Sequence, residues 1–225
     1  NTDGTPRRAY ILFYKETDSN KVLLNTVTID QEGTSEESSS DYSADKTIRV
    51  LQQATLGKGL PIVLMGDGFI DTEIADGTYD KVMDKAWENL FTEEPLKSLR
   101  DYFNVYAITA VSRNNNFGNG YKTAFSCELE GGVSTGISGN DEAVMEYVES
   151  IDGVDLEGAL AVVILNSSAY AGTTYFGYSS GSKMVEFAIA YCPVIDNLVK
   201  GGFLSKDNQV LEVGLNEELV SLFSR

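Results

Sequence analysis

Two β-branched and aromatic runs, residues 8–14 and 22–29, open the chain, and the turn-rich stretch 16–20 between them predicts a β-hairpin. The pattern then breaks. Residues 31–41 are acidic and serine-rich, which predicts a solvated linker, so residues 1–46 read as hairpin plus linker and 47–225 as one larger domain. From Leu60 onward apolar strands alternate with amphipathic helices. Residues 61–65 and 159–165 are continuously apolar, as strands buried on both faces are, and 105–111 and 183–192 predict further strands. Tyr79, Val82, Met83, Ala86, Trp87, Leu90 and Phe91 recur at helical spacing behind Thr78 as the expected cap. A second helix is expected to start at Thr92 with Pro95 in its first turn, and Asn140 or Asp141 caps a third through Ala143, Val144, Tyr147, Val148 and Ile151. Residues 215–223 suggest a short terminal helix. This alternation predicts an α/β fold, a three-layer, mostly parallel sheet flanked by helices and preceded by the hairpin.

Composition narrows the partners. Seventeen basic against 34 acidic residues give a formal charge of −17, without the basic footprint that phosphate binding needs, so nucleic acid and anionic membrane surfaces are not expected partners. No run of eighteen apolar residues occurs, so no membrane-spanning segment is predicted. The polar opening from Asn1 suggests that a signal segment has been removed, with a secreted or cell-surface location. Cys127 and Cys192 each follow a strand-like run. They would pair as a disulfide if those strands are neighbours in an oxidising compartment, and would otherwise be two separate buried thiols.

Ligands of open α/β sheets collect at the carboxyl ends of the strands. Those ends carry Gly66-Asp67-Gly68, residues 112–116 and residues 166–170, so Asp67, Asp71, Asp76, Asn114, Asn166 and Tyr170 form the candidate crevice. The competing reading gives Asp67 only backbone donors in a tight turn. No nucleophile elbow, phosphate loop or dinucleotide fingerprint is present. The chain has no histidine, which excludes Ser/His/Asp and Cys/His nucleophile systems and any His-Glu-x-x-His zinc site built from it. Carboxylate acid–base chemistry, or a hard cation held by Asp67, Asp71 and Asp76, stays open, although their spacing is not that of an EF-hand loop.

The segments Leu60-Pro-Ile-Val-Leu-Met-Gly-Asp-Gly-Phe69, Asp76-Gly-Thr-Tyr-Asp80, Phe91-Thr-Glu-Glu-Pro95 and Tyr102-Phe-Asn-Val-Tyr106, with Ala110-Val-Ser112, Thr123-Ala-Phe125 and Ala171-Gly-Thr173, resemble the M64, IgA-peptidase-like bacterial metallopeptidases over about residues 58–193. The resemblance implies a zincin-type scaffold, an exported bacterial protein, and zinc as the cofactor of active relatives. In those relatives a His-Glu helix follows a strand like residues 187–193, yet residues 194–225 carry no such ligand. No catalytic residue is therefore carried over and no cofactor is expected for this chain. The expected function is a catalytically silent M64-type protein that binds a protein or glycan. The alternatives are a fragment of an active secreted zinc endopeptidase, residual carboxylate hydrolysis, or a structural surface domain.

Overall fold

The computed structural model describes residues 7–17, 20–31, 38–132, 134–167, 171–180 and 183–193. The predicted terminal helix at 215–223 and the candidate Tyr170 lie outside them. The chain divides into two compact units, residues 1–37 and 38–225. In the first, β1 (Arg7–Thr17) and β2 (Asn20–Gln31) pair antiparallel, as the hairpin pattern predicts, with a register shift between Phe13 and Tyr14.

The second unit begins with β3 (Ile48–Gln52) and β4 (Leu60–Asp67), followed by the helices α1 (Asp71–Ala75), α2 (Thr78–Leu90) and α3 (Leu96–Leu99). Next come β5 (Phe103–Ile108), the two-residue strands β6 (Glu128–Leu129) and β7 (Ile137–Ser138), and α4 (Asp141–Glu149). The last described elements are β8 (Leu160–Leu165), β9 (Thr173–Ser180) and β10 (Lys183–Pro193). Six strands form one sheet in the order β3-β5-β4-β8-β10-β9.

The expected three-layer, mostly parallel sheet with flanking helices is not what forms. The sheet is mixed. β4 pairs parallel with β5 and β8, and β8 with β10, but both edge strands, β3 and β9, run antiparallel to their neighbours. Counting the hairpin and the β6–β7 pair, four of the seven pairings among the described residues are antiparallel. The chain dictates this at β9, because only two residues separate it from β10, and so short a connection joins antiparallel strands only. Helices are few: of the four α-helices described, only α2 and α4 exceed five residues.

Alternation along β4 distributes the core. Ile62 and Leu64 pack with Tyr79, Val82, Met83 and Leu90 of α2 on one face. Val63 and Met65 pack on the other with Phe125, Val144 and Val148, so that α4 shares this face with the irregular segment 109–140. Cys192 belongs to the first face and Cys127 to the second; both are free, buried thiols, and no disulfide joins them.

Local chemistry shifts two helix starts from their expected places. Thr78 is the first residue of α2 rather than its cap: Gly77 takes the cap position at φ 80°, and the Asp76 carboxylate accepts from the Thr78 amide at 2.8 Å. Thr92 closes α2 instead of opening α3, its hydroxyl donating to the Asn89 carbonyl at 2.9 Å, and α3 starts after Pro95. Asn140 caps α4 as expected, accepting from the Ala143 amide at 3.2 Å.

Candidate functional site

At the carboxyl end of β4, Asp67 is fully buried, and each of its carboxylate oxygens is taken by the protein itself. Oδ1 accepts from the Phe125 amide at 2.8 Å; Oδ2 accepts from the Cys127 amide at 3.0 Å and the Thr123 hydroxyl at 2.8 Å. Donors placed around a buried carboxyl group in this way offset much of the cost of taking it out of water. The turn that follows needs Gly68 at φ 80°, and its amide donates to the Ser112 hydroxyl at 2.8 Å. Gly66 serves packing rather than ligand approach. A Cβ there would lie 2.6 Å from the Tyr79 ring and 2.7 Å from that of Phe69, two buried rings that meet edge to face. The Tyr79 hydroxyl donates to the Ile108 carbonyl at 2.7 Å and accepts from the Gly66 and Ala110 amides, so α2 bridges the ends of β4 and β5.

Of the candidate crevice, the structure brings Asp67 and Asn166 together. The Asn166 amide donates to the Asp67 carbonyl at 2.8 Å. Its side-chain Nδ2 donates to the Gly68 carbonyl and to the Glu73 carboxylate, which also accepts from the Ile70 amide. Asn114 pairs instead with Ser38 and Lys122. Asp71 faces the chain preceding β3: the Ser40 and Asp41 amides each donate to its carboxylate at 2.8 Å, and they hold the Asp71 carboxyl below its ordinary pKa. Asp76 stands apart at the entry to α2, its pKa lowered by the hydrogen bonds from Thr78. The three aspartates therefore share no cation site. Glu73 and Thr123 complete the network, Thr123 marked in the sequence only by its place in a family-like segment and Glu73 by nothing; their partners lie 93 and 56 residues away.

A second polar centre joins α4 to the β9–β10 pair. Asp141 accepts from the Tyr178 hydroxyl at 2.9 Å and from the Tyr191 hydroxyl, while Tyr175 donates to Glu130 and to the Ile137 carbonyl. Burial, then the hydrogen bond to Asp141, pushes the Tyr178 and Tyr191 phenols upward; burial and Glu130 push Tyr175 up to about 12. The Asp141 spacing was legible only as a helix start.

The Cys127 carbonyl accepts from the Gly118 amide at 3.1 Å, so the carboxylate that holds residues 123–127 also organises the loop outside them. There, a cavity of about 400 Å³ opens between residues 117–119, 128–129 and 131–132.

The family profile for IgA Peptidase M64 matches residues 48–186, from the first residue of β3 to within β10. This is more than half of the chain. The chain belongs to the M64 peptidase family. Comparison with curated proteins finds no match. The family is one of metallopeptidases, usually zinc-dependent, and the described residues of this M64 chain do not fit that metal. It offers no imidazole, and among the described residues no group of three or more Cys, Asp or Glu side chains is gathered to hold an ion. The best-placed carboxylates, Asp67 and Glu73, already accept from internal donors.

Proposed function

We propose that this M64-family chain acts by recognition, binding a protein or a glycan, and that its own 225 residues do not carry out peptide hydrolysis. One observation carries the reading: where the strands end, Asp67 and Asn166 are 0% and 2% exposed and bonded to the protein's own donors and acceptors, leaving the Asp67 carboxylate closed to a substrate. A general acid or base must reach the proton that it moves. The secreted or cell-surface setting belongs to the same proposal and is supported by the family membership. The test is direct. The full chain is incubated with zinc or calcium and assayed for bound metal and for cleavage of a protein panel that includes immunoglobulin A. Less than about a tenth of an equivalent of metal and no cleavage are expected. Metal-dependent cleavage that Asp67→Ala abolishes would overturn the reading.

A further inference from the structure

The cavity is lined by residues 117–119 and by residues of the segment that follows Cys127, and the Gly118 amide joins the first segment to Cys127, whose own amide donates to Asp67. Its volume of about 400 Å³ lies at the small end of ligand sites, which run to roughly 300–1,000 Å³. One side is apolar: Phe117, half-buried against the core, and Leu129. The polar side is Glu128 and Asn119, both exposed, an acceptor and a carboxamide that both donates and accepts. Between them the main chain is bare. Gly118, Gly131 and Gly132 take φ values of 108°, 63° and 78°, and a Cβ on any of them would meet nothing within 4 Å, so backbone groups other than the Gly118 amide, which donates to the Cys127 carbonyl, can approach a ligand closely. Among the described residues no lysine or arginine lines the cavity.

We infer that this cavity binds one neutral sugar ring of a glycan, its C–H face against Phe117 and its hydroxyls on Glu128 and Asn119. The inference rests on the recognition reading and gives it a ligand class. Sugar hydroxyls need donors and acceptors together, and a carboxylate, a carboxamide and bare peptide groups supply both. An apolar peptide side chain would leave Glu128 and Asn119 without partners on burial. A cationic one would be answered by Glu128 and the Asn119 oxygen, leaving the Asn119 amide hydrogens without an acceptor. Acidic sugars are disfavoured by Glu128 and by the net charge of −17.

The test uses the full chain in saturation-transfer NMR and calorimetry with methyl α-mannoside, methyl β-galactoside and N-acetylglucosamine. N-acetylneuraminic acid and a Lys/Arg-rich peptide serve as competing probes. At least one neutral sugar should bind, and Phe117→Ala and Glu128→Gln should each weaken it about tenfold. Phe117→Trp should retain binding, and the acidic sugar should not bind. Thermal unfolding checks that Phe117→Ala folds; Glu128, being exposed, gives an independent variant. The inference is overturned if no neutral sugar binds, or if both variants bind as the parent does. It also fails if only the basic peptide binds in a Glu128-dependent way, a result that leaves the recognition reading standing. Metal-dependent proteolysis with variant-sensitive sugar binding would instead overturn the recognition reading and support the assignment of this cavity.

Discussion

Replacing Asp67 by alanine tests whether the carboxylate is an internal anchor or a group held in readiness for chemistry. The substitution leaves the Phe125 and Cys127 amides without an acceptor in a site closed to water. Each stranded donor costs about 1–3 kcal/mol, and relief from burying the ion returns part of that, so a net loss of about 3 kcal/mol is expected. Asp67→Asn should recover little. Its single oxygen can serve one amide, while its own amide hydrogens would face the other donor. Urea unfolding followed through Trp87 fluorescence gives the loss from the midpoint shift at constant slope. The exposed Asp152→Ala controls for the change in net charge. Amide exchange adds a local readout: Phe125 and Cys127 should exchange faster in Asp67→Ala, and Gly118 with them, because its carbonyl partner belongs to Cys127. A loss below about 0.5 kcal/mol, the range of ordinary surface substitutions, would refute the anchor argument.

Gly66→Ala should lower the melting temperature, at a cost of about 1–3 kcal/mol, because the Tyr79 and Phe69 rings that a methyl would strike are buried; an unchanged melting curve would show that they can move aside. Alkaline stability should fall. Tyr175 is raised from 10.0 to about 12, and Tyr79, Tyr147, Tyr178 and Tyr191 also shift upward, so the folded state keeps protons that the unfolded state releases. Stability is then complete below pH 10 and declines as pH rises toward 12 and beyond; a urea midpoint that stays flat across this range, with phenolate absorbance already developed, would contradict it. Cys127 and Cys192 should resist a thiol reagent in the native protein and both react on unfolding, since both are buried and burial, then the Asp67 charge, pushes the Cys127 thiol upward. Rapid native labelling would refute this.

The central strands were legible because β4 and β8 are buried on both faces, and a continuous apolar run has few other uses. The helices α2 and α4 announced themselves by spacing. The edge strands did not. β3 exposes Ile48 and Val50, and β9 is a run of Thr, Tyr, Gly and Ser with Phe176 exposed, so neither carries a buried-face signature, and the antiparallel edges were missed with them. Of the residues of the candidate crevice, only the nearness of two was legible. Strand-end logic found Asp67 and Asn166, but what Asp67 does depends on donors 56 to 60 residues away in a segment without periodicity. No local pattern encodes such a partnership. The absence of histidine was the most decisive sequence fact, because it needs no fold to interpret.

Through its Tyr79 hydroxyl, α2 takes a place in the hydrogen-bonding of the sheet that a backbone group would otherwise fill. Undocking the helix would orphan the Gly66 and Ala110 amides and the Ile108 carbonyl in the same step. The helix therefore has no inexpensive private opening. Fluctuations that release it must also fray the ends of β4 and β5, which merges three elements into one cooperative unit of native-state opening. A rigid frame at the base of the loops that follow would suit the proposed recognition, because loops anchored in this way lose little freedom on binding.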